Sequence, residues 1–377
     1  MSALTLVLFF LGLVLLVLGS EWLVRGASRL ATAVGISPLV VGLTIVALGT
    51  TSPELAISVQ SAYAGQSELA VGNAVGSSIL NVLLILGMSA LILPLSVPQK
   101  IIRIDVPLLI LASFLLWFFA SDGILARSEG IILAMCLACY IVWCIVQSRK
   151  ENVTIQREYA EEYDGNVPDR PGAVFVLRQF LFVAVGLGLL IVGSGWIVDG
   201  AVKFAKLLGI SELVIGLTVI AIGTSLPEIA TTMMATLKGE RDIAVGNVIG
   251  ANLCNILVVL GVTAVVAPNG VVAPPQTTSF DIPVMVAVSV ACLPVFFNGG
   301  QITRWEGAVF LFYYIAYTVY LILAATNNVG LGVYRTAMLF FAIPLTVIAL
   351  LAITTRSAQR NLRARRQALV ESQNATE

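Results

Sequence analysis

GLTIVALGTTSPE (residues 42–54) recurs as GLTVIAIGTSLPE (216–228), and AVGNAVGSSILNVLLILG (70–87) recurs as AVGNVIGANLCNILVVLG (244–261). Both pairs lie 174 residues apart, and 19 of the 46 positions from Gly42 to Gly87 are identical to their partners. The register extends upstream: Gly19, Trp22, Gly26, Gly35, Ile36 and Ser37 return as Gly193, Trp196, Gly200, Gly209, Ile210 and Ser211. The chain is a duplicated unit. Each copy sets one glutamate, Glu54 or Glu228, inside an apolar segment. A carboxylate in such a place is costly, so its recurrence at matched positions points to function.

Hydrophobic residues make up 58% of the 377 and charged residues 11%, far from the roughly half and quarter of soluble domains. Apolar stretches near the ~20 residues of a membrane helix fall at about 4–24, 38–62, 69–93, 103–121, 126–147, 176–197, 211–235, 243–267, 280–297, 305–325 and 335–355. The expected fold is an all-α polytopic membrane protein of about eleven spans. The first span lacks a basic n-region and a small-residue cleavage site, so it reads as a retained helix. The five cysteines all fall in apolar segments and read as packing. There is no histidine, which excludes histidine metal sites and proton relays.

With the N-terminus placed outside, 17 of the 21 Lys and Arg residues fall on the inner side, including Arg356, Arg360, Arg363, Arg365 and Arg366 of the tail. That split predicts N-out, C-in. Five spans per copy is an odd number, so the second copy enters from the opposite face. Inverted repeats of this kind place a transporter's substrate site at the midplane between them. The expected organisation is a first repeat over 1–147, a polar cytoplasmic linker over 148–175 and a second repeat over 176–325. An extra helix and basic tail follow over 326–377.

The chemistry sits in the repeated motif. Pro53 and Pro227 remove the donors that would pair the carbonyls of Gly49 and Gly223, so each helix is expected to break there. Broken helices are tolerated at membrane depth only where they are buried in protein or line a cavity. Beside the breaks stand Thr50 and Thr51, and Thr224 and Ser225; Glu54 and Glu228 follow one turn on, on the same face. Asn73, Ser77 and Asn81 form a stripe at a spacing of four, matched by Asn247, Ala251 and Asn255. Carboxylates, hydroxyls, amides and bare carbonyls are hard oxygen ligands, suited to Ca²⁺ and Na⁺ rather than to thiophilic metals. Gly72 and Gly76, like Gly246 and Gly250, read as close helix contacts. Asn73 and Asn247 read as caps or helix-to-helix bonds.

G-T-[ST]-x-P-E followed by G-N-x-x-G-[SA]-x-x-x-N, twice and inverted, resembles the Ca²⁺:cation antiporter superfamily, in particular its prokaryotic Na⁺/Ca²⁺ exchanger branch, over residues 4–325. The resemblance implies ligands from Thr50, Thr51, Glu54, Ser77 and Asn81, from Thr224, Ser225, Glu228 and Asn255, and from carbonyls near Ala47 and Ala221. It implies that the first and sixth spans slide across this core. Two positions depart from the family pattern, which often has serine at Ala251 and aspartate at Asn255. Two carboxylates neutralise one Ca²⁺ or two Na⁺, so a stoichiometry other than three Na⁺ per Ca²⁺ is expected. The expected function is Ca²⁺/Na⁺ antiport in a plasma (inner) membrane, with no cofactor, no enzymatic activity, no nucleic acid and no obligatory protein partner. Ca²⁺/H⁺ exchange, K⁺-dependent exchange and, in another class, a passive cation channel stay open. The family's proton exchangers typically carry a histidine in the second motif, which this chain lacks.

Overall fold

Long apolar runs with few interior breakers become helices because, in lipid, a helix satisfies every backbone polar group within its own segment. The computed structural model describes residues 3–34, 36–150, 172–208, 221–297, 299–326 and 328–347. The first repeat begins with α1, Ala3–Val34. A bent pair follows, α2 Pro38–Thr50 and α3 Ser52–Tyr63, with axes 41° apart. Next come α4 Glu68–Ile92, α5 Ile101–Asp122 and α6 Arg127–Lys150. The second repeat runs α7 Ala173–Leu207, α8 Ala221–Thr224, α9 Leu226–Leu237, α10 Arg241–Val266, α11 Thr277–Phe297 and α12 Arg304–Ala325. The last described helix, α13, covers Leu331–Val347.

Eight of the described helices are long and apolar enough to cross a membrane, and the α2–α3 pair makes a ninth span. The first ten residues of the expected span 211–235, the end of 335–355 and most of the linker 148–175 lie outside the described residues, as do the tail arginines. The outermost helices exceed their apolar segments. α1 continues to Val34, past the expected end near residue 24, and carries Arg25 and Arg29 on its added turns.

Glycines show how the repeats are related. A Cβ on Gly12 would stand 2.8 Å from the carbonyl of Gly193, and one on Gly193 equally close to that of Gly12. Gly19 and Gly186 meet in the same way at 2.8 Å. Residue numbers rise along α1 as they fall along α7, so these equivalent first helices of the two repeats cross antiparallel. The repeats are therefore inverted. Under the 174-residue register the Gly12–Gly193 contact maps onto Gly186–Gly19, so a pseudo-twofold axis passes between them. A second such set joins α4 to α12 at Gly87 and Gly307, and α10 to α6 at Gly261 and Gly130.

Among the described residues, four strands of two residues add to the expected all-helical picture. β1 (Leu95–Ser96) pairs antiparallel with β4 (Gln301–Ile302), and β2 (Ile124–Leu125) with β3 (Val271–Val272). Each pairing joins one repeat to the other. The main core lies between α4, α5, α6, α10 and α11, with Ile79, Ile85, Leu109, Ile249, Ile256 and Phe296 all fully enclosed. α1 and α7 stand beside it with a smaller cluster of their own around Leu16, Leu23, Val183 and Leu190.

Candidate ion-binding site

The site forms where two helices break. Thr51 (φ −80°, ψ 2°) ends α2 and starts α3, and Ser225 (φ −91°, ψ 10°) does the same between α8 and α9. Both occupy the sparsely populated bridge region, each two residues before the proline that prevents a continuous ladder. The carbonyl of Gly49 loses its i+4 helical donor at Pro53 as expected, but Ser52 Oγ donates to it at 2.7 Å. Leu226 stands at the matching position and offers no such bond. Glu54 and Glu228 fall in the first turns of α3 and α9, where helix dipoles favour a carboxylate. The preceding half-helices end beside them, and helix C-termini favour cations.

The second motif supplies the opposing wall. In both copies the helix widens into a six-residue π turn that starts at the expected asparagine, Asn81–Leu86 and Asn255–Leu260. Such turns concentrate at functional sites because they reorganise the backbone ladder locally. Gly246 and Gly250 let α2 approach: a Cβ on Gly250 would stand 2.6 Å from the carbonyl of Leu43 and 2.8 Å from Cβ of Ala47. Nothing within 4 Å faces Gly72 or Gly76 among the described residues.

Thr50, Thr51, Glu54, Ser77, Asn81, Ser225, Glu228 and Asn255 are all buried. Ser225 Oγ lies 3.1 Å from Ser77 Oγ and 3.4 Å from Glu54 Oε1, which joins both repeats around the first glutamate. Glu228 is within electrostatic reach of Glu54. Three of the four carboxylate oxygens, Glu54 Oε2 and both of Glu228, have no hydrogen-bond partner among the described residues. Asn81 Oδ1 and both side-chain atoms of Asn255 are likewise unpartnered there. The carbonyl of Ala47 accepts from Thr51 N (3.0 Å), Thr51 Oγ1 (2.8 Å) and Thr50 Oγ1 (3.3 Å). Ala221 opens α8.

Asn73 and Asn247 link helices. Asn73 Nδ2 donates to Ser58 Oγ (3.3 Å) and Asn247 Nδ2 to Thr232 Oγ1 (3.0 Å), equivalent bonds under the register. Each also accepts from the other repeat, Asn247 Oδ1 from Thr50 Oγ1 (3.4 Å) and Asn73 Oδ1 from Thr224 Oγ1 (3.5 Å). Two buried residues escaped the sequence reading. Asn252 accepts from Asn81 Nδ2 (3.0 Å) and donates to the Ser78 carbonyl (3.1 Å). Thr231, three residues after Glu228, keeps an unpartnered hydroxyl among the described residues. The available signal for Asn252 was its difference from Ser78, the residue that the register sets against it.

The halves are unequal. Glu54 has the Ser225 hydroxyl beside it, linked on to Ser77; at the matching places near Glu228, Ala251 replaces serine and the Thr51 hydroxyl turns back onto Ala47, which leaves Thr50 as the hydroxyl within reach. No group of three or more Asp, Glu, Cys or His residues that could hold a metal ion occurs among the described residues. The centre therefore offers two carboxylates amid neutral oxygens.

Comparison with known proteins agrees with this architecture. The family profile described as sodium/calcium exchanger protein matches residues 4–146 and 178–323. The chain is 38% identical over 273 residues to the putative antiporter CaxA of Alkalimonas amylolytica, covering 71% of this chain and 83% of that protein. It is 40% identical over 241 residues to the inner membrane protein YrbG of Escherichia coli (strain K12), covering 64% and 73%. Among solved structures, the sodium-calcium exchanger NCX_Mj soaked with Na⁺ and Ca²⁺ superposes with a TM-score of 0.71 at 31% identity, over 86% of this chain and 99% of that one. The inverted repeats, the paired helix breaks and these matches lead to one conclusion: the chain belongs to the sodium/calcium exchanger protein family.

Proposed function

We propose that the chain exchanges Ca²⁺ for Na⁺ across the plasma membrane by alternating access, with Glu54 and Glu228 as the shared ligands of both ions. One observation carries this reading: two enclosed carboxylates whose oxygens are largely unsatisfied among the described residues. Buried acceptors normally find partners, and a hard cation is the partner that this oxygen set suits. Thr50, Thr51, Thr224, Ser225, Ser77, Asn81 and Asn255, with the carbonyls of Ala47 and Ala221, complete the proposed ligand set. Ca²⁺ and Na⁺ compete for the same carboxylates, so neither load binds fully while the other is present. An unloaded pair of facing carboxylates resists crossing the membrane, which couples the two fluxes. Either ion load neutralises the site and frees α1 and α7 to move across the core. The proposed orientation is N-terminus outside and C-terminus cytoplasmic, following the distribution of basic residues.

The test is Ca²⁺ uptake into proteoliposomes loaded with Na⁺, set beside vesicles loaded with K⁺ or with acid. Uptake is expected only with an outward Na⁺ gradient. Uptake driven equally by acid loading would replace Na⁺ with H⁺ as the counter-ion, and uptake without any counter-gradient would indicate a channel.

A further inference from the structure

α13 stands away from the bundle. Its opening segment Leu331–Ala337 has no buried residue, yet polar pins fix its distance from α12. Tyr334 Oη donates to the carbonyl of Ala316 at 2.7 Å, and Tyr313 Oη lies 2.7 Å from Thr346 Oγ1 and 3.0 Å from the carbonyl of Ala342. Between the pins lies a cleft of about 430 Å³, walled by Ala287 and Ala291 of α11, Phe310 of α12, and Met338, Leu339 and Ile343 of α13. Hydrogen bonds at both levels hold this gap open.

The wall offers almost nothing polar. Tyr313, Tyr317 and Tyr334 spend their hydroxyls on protein partners, Tyr317 on Asp281 Oδ1 at 2.9 Å. From Glu306 to Tyr320, both in the lining, α12 rises about 21 Å at ~1.5 Å per residue. That exceeds the ~15 Å that one leaflet fills in a ~30 Å hydrocarbon core. The two mouths differ in charge. The Glu306 carboxylate accepts from Thr303 N (2.7 Å) and Thr303 Oγ1 (2.9 Å) in a capping box, so it is already engaged. Arg335 is exposed at the opposite mouth and has no ion-pair partner among the described residues. An apolar slot with, among the described residues, one unpaired guanidinium at its end selects an amphiphile with a single anionic head.

We propose that this cleft binds one acyl chain of an anionic phospholipid, with the Arg335 guanidinium holding its phosphate. The lipid then serves as the packing partner that α13 lacks. The test is native mass spectrometry of the full-length protein in mild detergent, after exposure to phosphatidylglycerol or phosphatidylcholine of identical chains. One retained phosphatidylglycerol is expected, favoured about fivefold over phosphatidylcholine, the effect of one basic residue at an anionic surface. Arg335→Gln should abolish the preference without changing the melting temperature. Ala291→Phe should reduce retention of both lipids. An unchanged preference in Arg335→Gln would overturn the assignment. So would the absence of any retained lipid, which would point to the chain beyond residue 347 filling the cleft. Because Arg335 is exposed, its variant keeps the test decisive even if Ala291→Phe does not fold.

Discussion

Asn252 gives the two asparagines of the site different freedoms. By holding Asn81 Nδ2 at 3.0 Å and anchoring its own amide on the Ser78 carbonyl at 3.1 Å, it fixes the Asn81 amide with Oδ1 left unpartnered among the described residues. That is the atom a cation would use. Asn255, with neither end bonded among the described residues, can turn either way. Replacing Asn252 by the serine of the other copy should release the Asn81 amide. Losing about 1 kcal/mol of hydrogen bonding is expected to raise the KM for Ca²⁺ roughly fivefold while maximal flux holds; an unchanged KM would separate Asn252 from ion binding. The glutamates should behave more severely. Glu54→Gln or Glu228→Gln removes half the site's charge, and at about 3–5 kcal/mol for one partner of a buried charge pair, exchange should fall at least ~100-fold. The protein should remain folded, since a neutral amide is easier to bury; near-normal flux in either variant would refute the shared-ligand reading. The enclosed placement of both glutamates just after a helix break was legible in the sequence, because proline and glycine beside each carboxylate interrupt the helix there. Asn252 was not, because the repeat register draws attention to positions that agree, and 252 is one where the copies differ.

Helices were legible as elements from apolar length alone, and the Pro53 and Pro227 breaks from the missing donor. The π turns and two-residue strands were not, since neither leaves a periodic pattern long enough to register. Nor was the position of the α1–α7 pair against the core, which is uneven. α1 packs along α9, whereas α7 makes no comparable contact with α3. At the exposed end of that one-sided contact, Glu21 Oε1 of α1 meets Lys238 Nζ at 3.4 Å and Arg25 Nη2 at 3.1 Å. The register sets Gly195 and Ala64 opposite Glu21 and Lys238, so no equivalent bridge can form when the pair tilts the other way. The bridge thus acts on one access state alone. Its partners are 29% and 34% exposed, and such pairs contribute about 1 kcal/mol or less. Lys238→Gln should therefore shift the access equilibrium by up to about fivefold, read as an increase in apparent Na⁺ affinity on the Lys238 side. Salt should bring the wild type toward the variant. Identical affinities at low ionic strength would show that the bridge does not bias access.

At the scale of the molecule, duplication and inversion were legible because one register of 174 residues runs through both motifs, and five spans per copy force opposite entry. The charge at the centre follows from the whole assembly, since each repeat contributes one carboxylate and one terminal amide. Two carboxylates balance one Ca²⁺ or two Na⁺, and a third Na⁺ would leave a positive charge in a low-dielectric interior. Ala251 also withholds from the Glu228 half the hydroxyl that Ser77 brings to the Glu54 half through its bond with Ser225. Electroneutral exchange of two Na⁺ for one Ca²⁺ is therefore expected, and membrane voltage tests it. Moving one net charge per cycle couples about 2.3 kcal/mol of driving force to each 100 mV, roughly a 50-fold change in the Ca²⁺ ratio at equilibrium. With Na⁺ gradients fixed and a K⁺ diffusion potential of about 100 mV imposed, the wild-type Ca²⁺ ratio should stay constant. Ala251→Ser combined with Asn255→Asp restores a hydroxyl and adds a third negative charge, which would admit a third Na⁺. That double variant should become voltage-sensitive on the same scale. A wild-type Ca²⁺ ratio that follows voltage would mean that amides and hydroxyls alone stabilise an extra cation, and the balance of charges would not set the stoichiometry.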